Sequence, residues 1–477
     1  MKEEDKTLIY KIESLKELVA GLYVRRLQLN HREVYLLYVP QLTDRVSVSN
    51  NIIKPLLLCT TSANLTVESI AHSIIYVDDV SILYDNSQAA DYLLRGNTLI
   101  FLDQCNEYIA ADTLKVEKRN TEAPQVETTI RSPRDAFTEN LDSNLSLIRY
   151  RIKDKALKVD NLIIGRRTKT VVAVVYISDV ANADYVTQVK DRLRGIDTDA
   201  ILNSGYIQKF LSNKSATFFP QIGISERSDV ISSDLLDGRI CIFTDGSNTA
   251  LVVPQNFLEF LDAGDDHYDN SYIAVFMKFL RLLAIFITLT SSSLFVALVA
   301  FHPEILPPQY IIAIASSRVS VPVNALLEIS IMELVAELLR EASIRLPKQI
   351  GPTIGIVGTI VIGQAAVAAS LVSTLTVIIV SLGTMCSFAV PDYTIMNPIR
   401  LLKFMMIFIT GIFGLFGFIM GFTIIMITMT STTSLGVPYT SPAMPFNFED
   451  IKNFFLANVA VYKKRPKNLH TIDKKRK

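Results

Sequence analysis

The sequence has no tryptophan, and only five histidines and four cysteines among 477 residues. Cys59, Cys105, Cys241 and Cys386 form no C-x-x-C pair, so neither a zinc ribbon nor a disulfide framework is readable. His31, His72, His267, His302 and His470 offer no ligand spacing, and no metal or cofactor site is expected. Net charge is lacking as well: Lys plus Arg and Asp plus Glu each total 47. A nucleic-acid binder carries a basic surface, so this balance argues against that class. No secretory core follows the charged start Met1-Lys-Glu-Glu-Asp-Lys6, so the N-terminal part is expected to stay in the cytosol.

What is present is unevenly spread. Residues 1–272 hold 30 basic and 38 acidic residues, 273–440 hold 8 and 6, and 441–477 hold 9 and 3. The middle stretch is nearly emptied of charge while the whole chain is 49% hydrophobic, with a mean hydropathy of +0.31. A bilayer selects such a composition.

The polar part contains a repeat. LLRGNTLIFLDQCNEYI (93–109) aligns without a gap on LLDGRICIFTDGSNTAL (235–251), pairing Gly96 with Gly238, Phe101 with Phe243 and Asp103 with Asp245. Each copy reads as a helix end, a glycine stop, a strand, a turn and a second strand. Val34–Val39 and Val172–Ile177 are the matching upstream strands. The expected fold is an α+β cytosolic region of two similar α/β subdomains, each with helices on a small mixed sheet, followed by an all-α polytopic membrane domain. The expected bounds are 1–115 and 131–270 for the subdomains, with a polar linker at 116–130. The membrane domain is expected over 271–435 and a basic tail over 436–477. Gly165-Arg-Arg-Thr-Lys-Thr170 could hold a phosphate or serve as a solvated or inter-subdomain ion-pairing turn; its glycine precedes the strand and lacks P-loop spacing. Asp245-Gly246 reads as a hairpin turn, and neither half shows a catalytic constellation, so no enzyme is expected.

About 20 apolar residues cross a bilayer core of roughly 30 Å. Residues 282–301, 350–369 and 371–390 meet that length without a charge, and 404–430 exceeds it and is expected to cross tilted. The segment 323–344 is helical but carries Glu328, Glu333, Glu337 and Glu341, the last three on one face opposite Leu334, Val335, Leu338 and Leu339. Such a stripe belongs either in the interface or along a water-filled path, because each charge at mid-bilayer costs about 2.5–3.5 kcal/mol. The basic tail, Arg340, Arg345 and Lys348, and Arg400 and Lys403 all ask for the cytoplasmic side. Simple spans do not satisfy them all, which implies that one apolar stretch does not cross. Gly351, Gly355, Gly358 and Gly363 in one segment, and Gly411, Gly414, Gly417 and Gly421 in another, allow close helix packing within or between subunits.

Several motifs occur in one order over 131–446. They are RSPRDAFTENL (131–141), GRRTKT (165–170), DGRICIFTDG (237–246), FHPE (301–304), LREASIRLP (339–347), IGIVGTIVIGQAAV (354–367) and GVPYTSP (436–442). Together they resemble the A-subunit family of bacterial spore germinant receptors, the GerA type. The resemblance implies a multi-pass protein of the spore inner membrane with a cytosolic N-terminal domain. It implies partners too: a permease-like B subunit, a C lipoprotein, membrane lipid and further copies of itself, forming a nutrient-gated cation channel. A non-conducting scaffold, or the paralogous A-type protein of the dipicolinate-release system, is the alternative; a transporter is disfavoured by the lack of inverted repeats. Around an axis, Glu333, Glu337 and Glu341 would form acidic rings, with Ile356, Val357, Ile360 or Val361 as an apolar gate. Gly351, Gly355, Gly358 and Gly363 would then pack at the pore wall or an oligomer interface.

Overall fold

The structure, a computed structural model, describes residues 3–29, 32–59, 66–103, 105–115, 133, 135–212, 218–268, 270–345, 361–456 and 464–475. The chain forms two units. One holds residues 1–214, 222–254 and 463–477, and the other 215–221 and 255–462.

The first unit contains two five-stranded sheets. Strands β1 (Tyr23–Leu29), β2 (Arg32–Tyr38), β3 (Val80–Leu83), β4 (Asn97–Leu102) and β5 (Tyr108–Asp112) lie in the order β1-β2-β4-β5-β3. Strands β6 (Leu157–Ile164), β7 (Thr170–Ile177), β8 (Gly223–Ser225), β9 (Ile240–Thr244) and β10 (Ala250–Val253) repeat it as β6-β7-β9-β10-β8. Even the register is shared: Val34 faces Leu102, and Val172 faces the aligned Thr244. Every strand pair is antiparallel, so the sheets are not mixed as expected. Helical crossovers return the chain to an antiparallel neighbour, a connection that apolar patterning alone does not distinguish.

In the first sheet successive residues alternate faces. Ile100 and Leu102 join one core with Val48, Ile52 and Leu56. Leu99 and Phe101 join another with Leu8, Ile12 and Leu15 of helix α1 (Glu3–Leu18). Helix α2 (Ala89–Leu94) ends at Gly96, φ 91°, and the second sheet's counterpart α4 (Ser228–Asp237) ends at Gly238, φ 94°. Both glycines hold the left-handed cap that side chains resist. Helix α3 (Leu141–Arg151) packs with α4 on the second sheet.

The Gly165 turn is an ion-pairing turn. Arg166 grips Asp197 through two bonds of 2.7 and 2.5 Å, and the backbone N–H groups of Arg166 and Arg167 donate to the Thr198 and Asp199 carbonyls. Asp245-Gly246 is the hairpin turn, Gly246 at φ 79°. Residues 464–475 of the basic tail are docked on the second subdomain. The Ile472 N–H donates to the Val180 carbonyl at 3.0 Å, and Arg465 Nε to the Leu236 carbonyl at 2.8 Å. The expected linker at 116–130 lies outside the described residues.

The second unit is helical. Helix α5 (Ser271–Val296) continues in wider turns to Phe301, followed by α6 (Ala325–Arg345), α7 (Thr374–Ser387) and the stretch Tyr393–Ser431. By length and composition, Ser271–Phe301 can cross a membrane, as could Tyr393–Ser431 were it one straight helix. At 14 residues, or about 21 Å, α7 is shorter than the span expected at 371–390. Of 350–369, residues 361–368 are helical and 350–360 lie outside the described residues.

The stretch Tyr393–Ser431 is two helices, α8 (393–413) and α9 (415–431), meeting at Gly414 with φ 60° and ψ −141°. The chain reverses there. A side chain at Gly417 would fall on the Ile409 carbonyl, and one at Gly421 would lie 2.8 Å from Met406 Sδ. In a straight helix Met406 and Gly421 stand about 22 Å apart. The apolar run 404–430, expected as one tilted span, is therefore the folded part of a hairpin. Its tip packs on Phe301 at the end of α5. Its two open ends, Ile395 and Met396 in one limb and Ile425 and Met429 in the other, share a core with Phe257, Phe260 and Tyr439.

Candidate functional site

Helix α6 starts at Asn324, whose side-chain oxygen accepts the Leu327 N–H at 2.9 Å. Good helix formers then run to Arg345, with glutamates at 328, 333, 337 and 341. Leu326 lies against Gly411 near the hairpin tip, while Glu337 meets Arg400 near the open ends. The helix therefore runs the length of the bundle, antiparallel to α5, and is not laid along its surface.

Its orientation is inverted relative to a helix facing water. Leu327, Ile331, Leu334 and Leu338 are each at least half exposed, while Glu328 and Glu333 are fully buried. Each of these acids has a partner, while Glu328 Oε2 and Glu337 Oε1 are buried without a hydrogen bond among the described residues. Glu333 accepts from Lys403 Nζ at 2.5 Å on one oxygen and from the Ser292 hydroxyl on the other, which ties α6 to α8 and α5. Glu337 accepts from Arg400 Nη1 at 3.1 Å, with Lys403 Nζ at 3.8 Å and Arg340 Nη1 at 3.7 Å. Glu328 accepts the Ser373 N–H at 2.6 Å and lies 3.4 Å from Arg318. Glu341 is exposed.

This network resolves the conflict among the basic residues. Arg340, Arg400 and Lys403 gather around Glu337 at one end of the bundle. The 323–344 segment, expected either in the interface or along a water-filled path, runs through the bundle and carries Glu328 and Glu333 inward. Burial of ions is tolerable where partners and hydrogen bonds complete them, and removing one partner leaves the other stranded. Three hydroxyls on the same elements, Ser291, Ser330 and Thr410, are buried with no hydrogen-bond partner among the described residues. Groups of that kind commonly hold unseen water.

Among the other candidate residues, Gly351, Gly355, Gly358, Ile356, Val357 and Ile360 lie outside the described residues. Val361 is 56% exposed. Gly363 sits where a Cβ would be 3.4 Å from Val377 of α7, so it packs within its own chain.

Residues 11–468 match the family model described as Bacillus/Clostridium GerA spore germination protein. The chain belongs to the GerA spore germination family. Among curated GerA relatives, Spore germination protein KA of Bacillus subtilis (strain 168) is 35% identical over 94% of this chain and 82% of its own. Spore germination protein GerLA of Bacillus cereus is 37% identical over 80% of this chain and 78% of its own. An uncharacterized membrane protein, YfkQ of B. subtilis (strain 168), is 33% identical over 88% and 82%. The N-terminal domain of the A subunit of the Bacillus megaterium spore germinant receptor GerK3 is a solved structure at 25% identity. It covers 52% of this chain and 94% of that one, at a TM-score of 0.38.

For this GerA chain, sequence reading found the acidic stripe but not its partners. Lys403 and Ser292 stand 70 and 41 positions from Glu333, and only the fold brings them together.

Proposed function

We propose that the chain is the A subunit of a nutrient germinant receptor in the spore inner membrane, with its N-terminal unit in the cytosol. It acts with a permease-like B subunit and a C lipoprotein, and several copies form a nutrient-gated cation channel that starts germination. The family match over residues 11–468 carries the receptor reading. The docked tail supports the topology: residues 464–475 pack on the second subdomain, so the chain's N-terminal unit and its tail share a compartment.

An internal acidic face with unpartnered hydroxyls beside it supports an ion path. In the arrangement seen, Glu333 is neutralised by Lys403, so a path along this face opens only when the network loosens. Glu341 is the exposed member of the stripe, and around an axis it would repeat as an acidic ring. That same neutralisation favours a second reading, a non-conducting scaffold, because Glu333 then serves only to hold helices together.

Nutrient-triggered potassium release from liposomes carrying the assembled receptor separates the two. The channel reading expects Glu341→Gln to lower cation flux with assembly intact, and Ser at Val357 or Val361 to leak without nutrient. Unchanged flux and selectivity in all three variants would leave the scaffold. Loss of dipicolinate release with nutrient sensing intact would instead place the chain with the paralogous A-type proteins.

A further inference from the structure

The first three turns of α5 are built inside out. Its two basic side chains, Lys278 and Arg281, are buried. Lys278 Nζ lies 2.6 Å from Asp262 and donates to the Phe454 carbonyl at 2.7 Å. Arg281 is paired with Asp266 and donates to the Leu261 carbonyl at 3.0 Å. The outward face is apolar: Tyr272 is 85% exposed, Phe276 59% and Phe279 56%. Water would favour the reverse arrangement, since it rewards an exposed ammonium and penalises an exposed phenyl ring.

A second apolar element lies alongside. Helix α10 (Phe448–Leu456) packs against α5, with the Lys278 ammonium 4.2 Å from the centre of the Phe454 ring. Just before and at its start, Met444, Phe446 and Phe448 are each more than half exposed. Exposed apolar side chains gathered on neighbouring elements point to an interaction site.

We infer that the outward face of residues 272–280, with Met444, Phe446 and Phe448, forms an aromatic rim seated in the headgroup layer of the bilayer. Two observations choose lipid as the occupant. The face runs without interruption into Leu282, Leu283 and Phe286, which are exposed on the spanning part of the same helix. The 31 residues from Ser271 to Phe301 also measure about 46 Å, longer than the roughly 30 Å hydrocarbon core but close to the 40–45 Å that includes both headgroup layers. Tyrosine suits that layer, where its ring is apolar and its hydroxyl wet, and phenylalanine on an interfacial helix reaches its boundary with the acyl chains. The rim fixes how deeply the bundle sits, and the Asp262–Lys278 and Asp266–Arg281 pairs keep charge off the lipid-facing side.

The inference rests on the membrane reading, and the absence of tryptophan from the chain supplies its test. The full chain carrying Phe276→Trp, Phe448→Trp or, as a depth marker, Phe408→Trp is reconstituted into phosphatidylcholine–phosphatidylglycerol vesicles. Phe408 is exposed on α8, away from the rim. Lipids are brominated either near the headgroup or near the chain end, and iodide probes the aqueous side. The rim expects both Phe276→Trp and Phe448→Trp to lose more emission to shallow bromine than to deep bromine or iodide, with Phe408→Trp showing the opposite depth preference. Iodide quenching without bromine quenching at the two rim positions overturns the rim alone if Phe408→Trp still responds to deep bromine. Blue-shifted rim emission that resists all quenchers overturns it in favour of a protein covering the face. Loss of bromine quenching at all three sites removes the membrane reading itself.

Discussion

The Lys403 ammonium lies 2.5 Å from the Glu333 carboxylate, with neither side chain more than 2% exposed. Each is the other's closest countercharge, and Ser292 completes the second carboxylate oxygen. Lys403→Met should therefore strand a buried carboxylate and lower stability by about 3–5 kcal/mol, with Glu333→Leu similarly costly. The double variant should recover most of that loss. Thermal unfolding of all four proteins in one detergent gives the cycle, and simple additivity would show that the two charges do not act as a pair.

Gly414 should tolerate no side chain. Its φ of 60° with ψ of −141° belongs to a region populated almost only by glycine, and a Cβ there would lie 2.9 Å from Phe301 Cγ. Gly414→Ala is expected to cost about 1–3 kcal/mol in backbone strain alone. Adding Phe301→Ala should remove only the steric share. Full rescue by that second change would mean the backbone conformation is unstrained.

Arg149 carries a different expectation. It is buried, its guanidinium donates to the Ala20 carbonyl at 2.8 Å, its Nε has no partner, and no carboxylate answers it among the described residues. Burial pushes its pKa down to about 10, still above neutrality, so at pH 7 the fold carries the cost of an ion without a counter-ion. That cost is fully present at pH 7 and relaxes only as the pH rises through the folded value. Arg149→Met should accordingly raise the unfolding temperature at pH 7. A fall would show that the hydrogen bond to Ala20 outweighs the ion's burial.

Removing residues 464–477 should loosen the second subdomain locally. A Cβ at Gly238 would lie 2.6 Å from the Thr471 methyl, so the tail closes over the end of α4. Hydrogen exchange is expected to speed up over Val180–Ala181 and Leu235–Ile240 and to stay unchanged around β1 and β2. Uniform protection after truncation would make the docking incidental.

How much of this was legible depended on whether the signal was local. Gly96 and Gly238, with the strands after them, announced a doubled fold because cap and strand patterns lie within a few residues. Strand direction did not, since Leu36 and Val174 are buried whichever way their neighbours run. The glycines at 411, 414, 417 and 421 have the spacing of a packing surface, and only φ at Gly414 turns that spacing into a reversal. Helix α6 was expected in the interface or along a water-filled path because a sequence shows each charge but not the residue that cancels it. Lys403 had been counted toward topology, and its role as Glu333's partner requires the hairpin to be folded first. The candidate gate residues Ile356, Val357 and Ile360 lie outside the described residues.

The tail on α4 also imposes an order on assembly. A ribosome finishes the strands of the second subdomain some two hundred residues before it makes Arg465, Thr471 and Ile472. In between, every apolar helix must be synthesised and delivered to its solvent. The end of α4 and the Val180 carbonyl therefore wait uncovered while those helices are made, and residues 464–475 close the unit long after its strands. On the topology proposed above, helices that failed to return to the starting side would leave that surface open, marking on the N-terminal unit an error made in the bilayer.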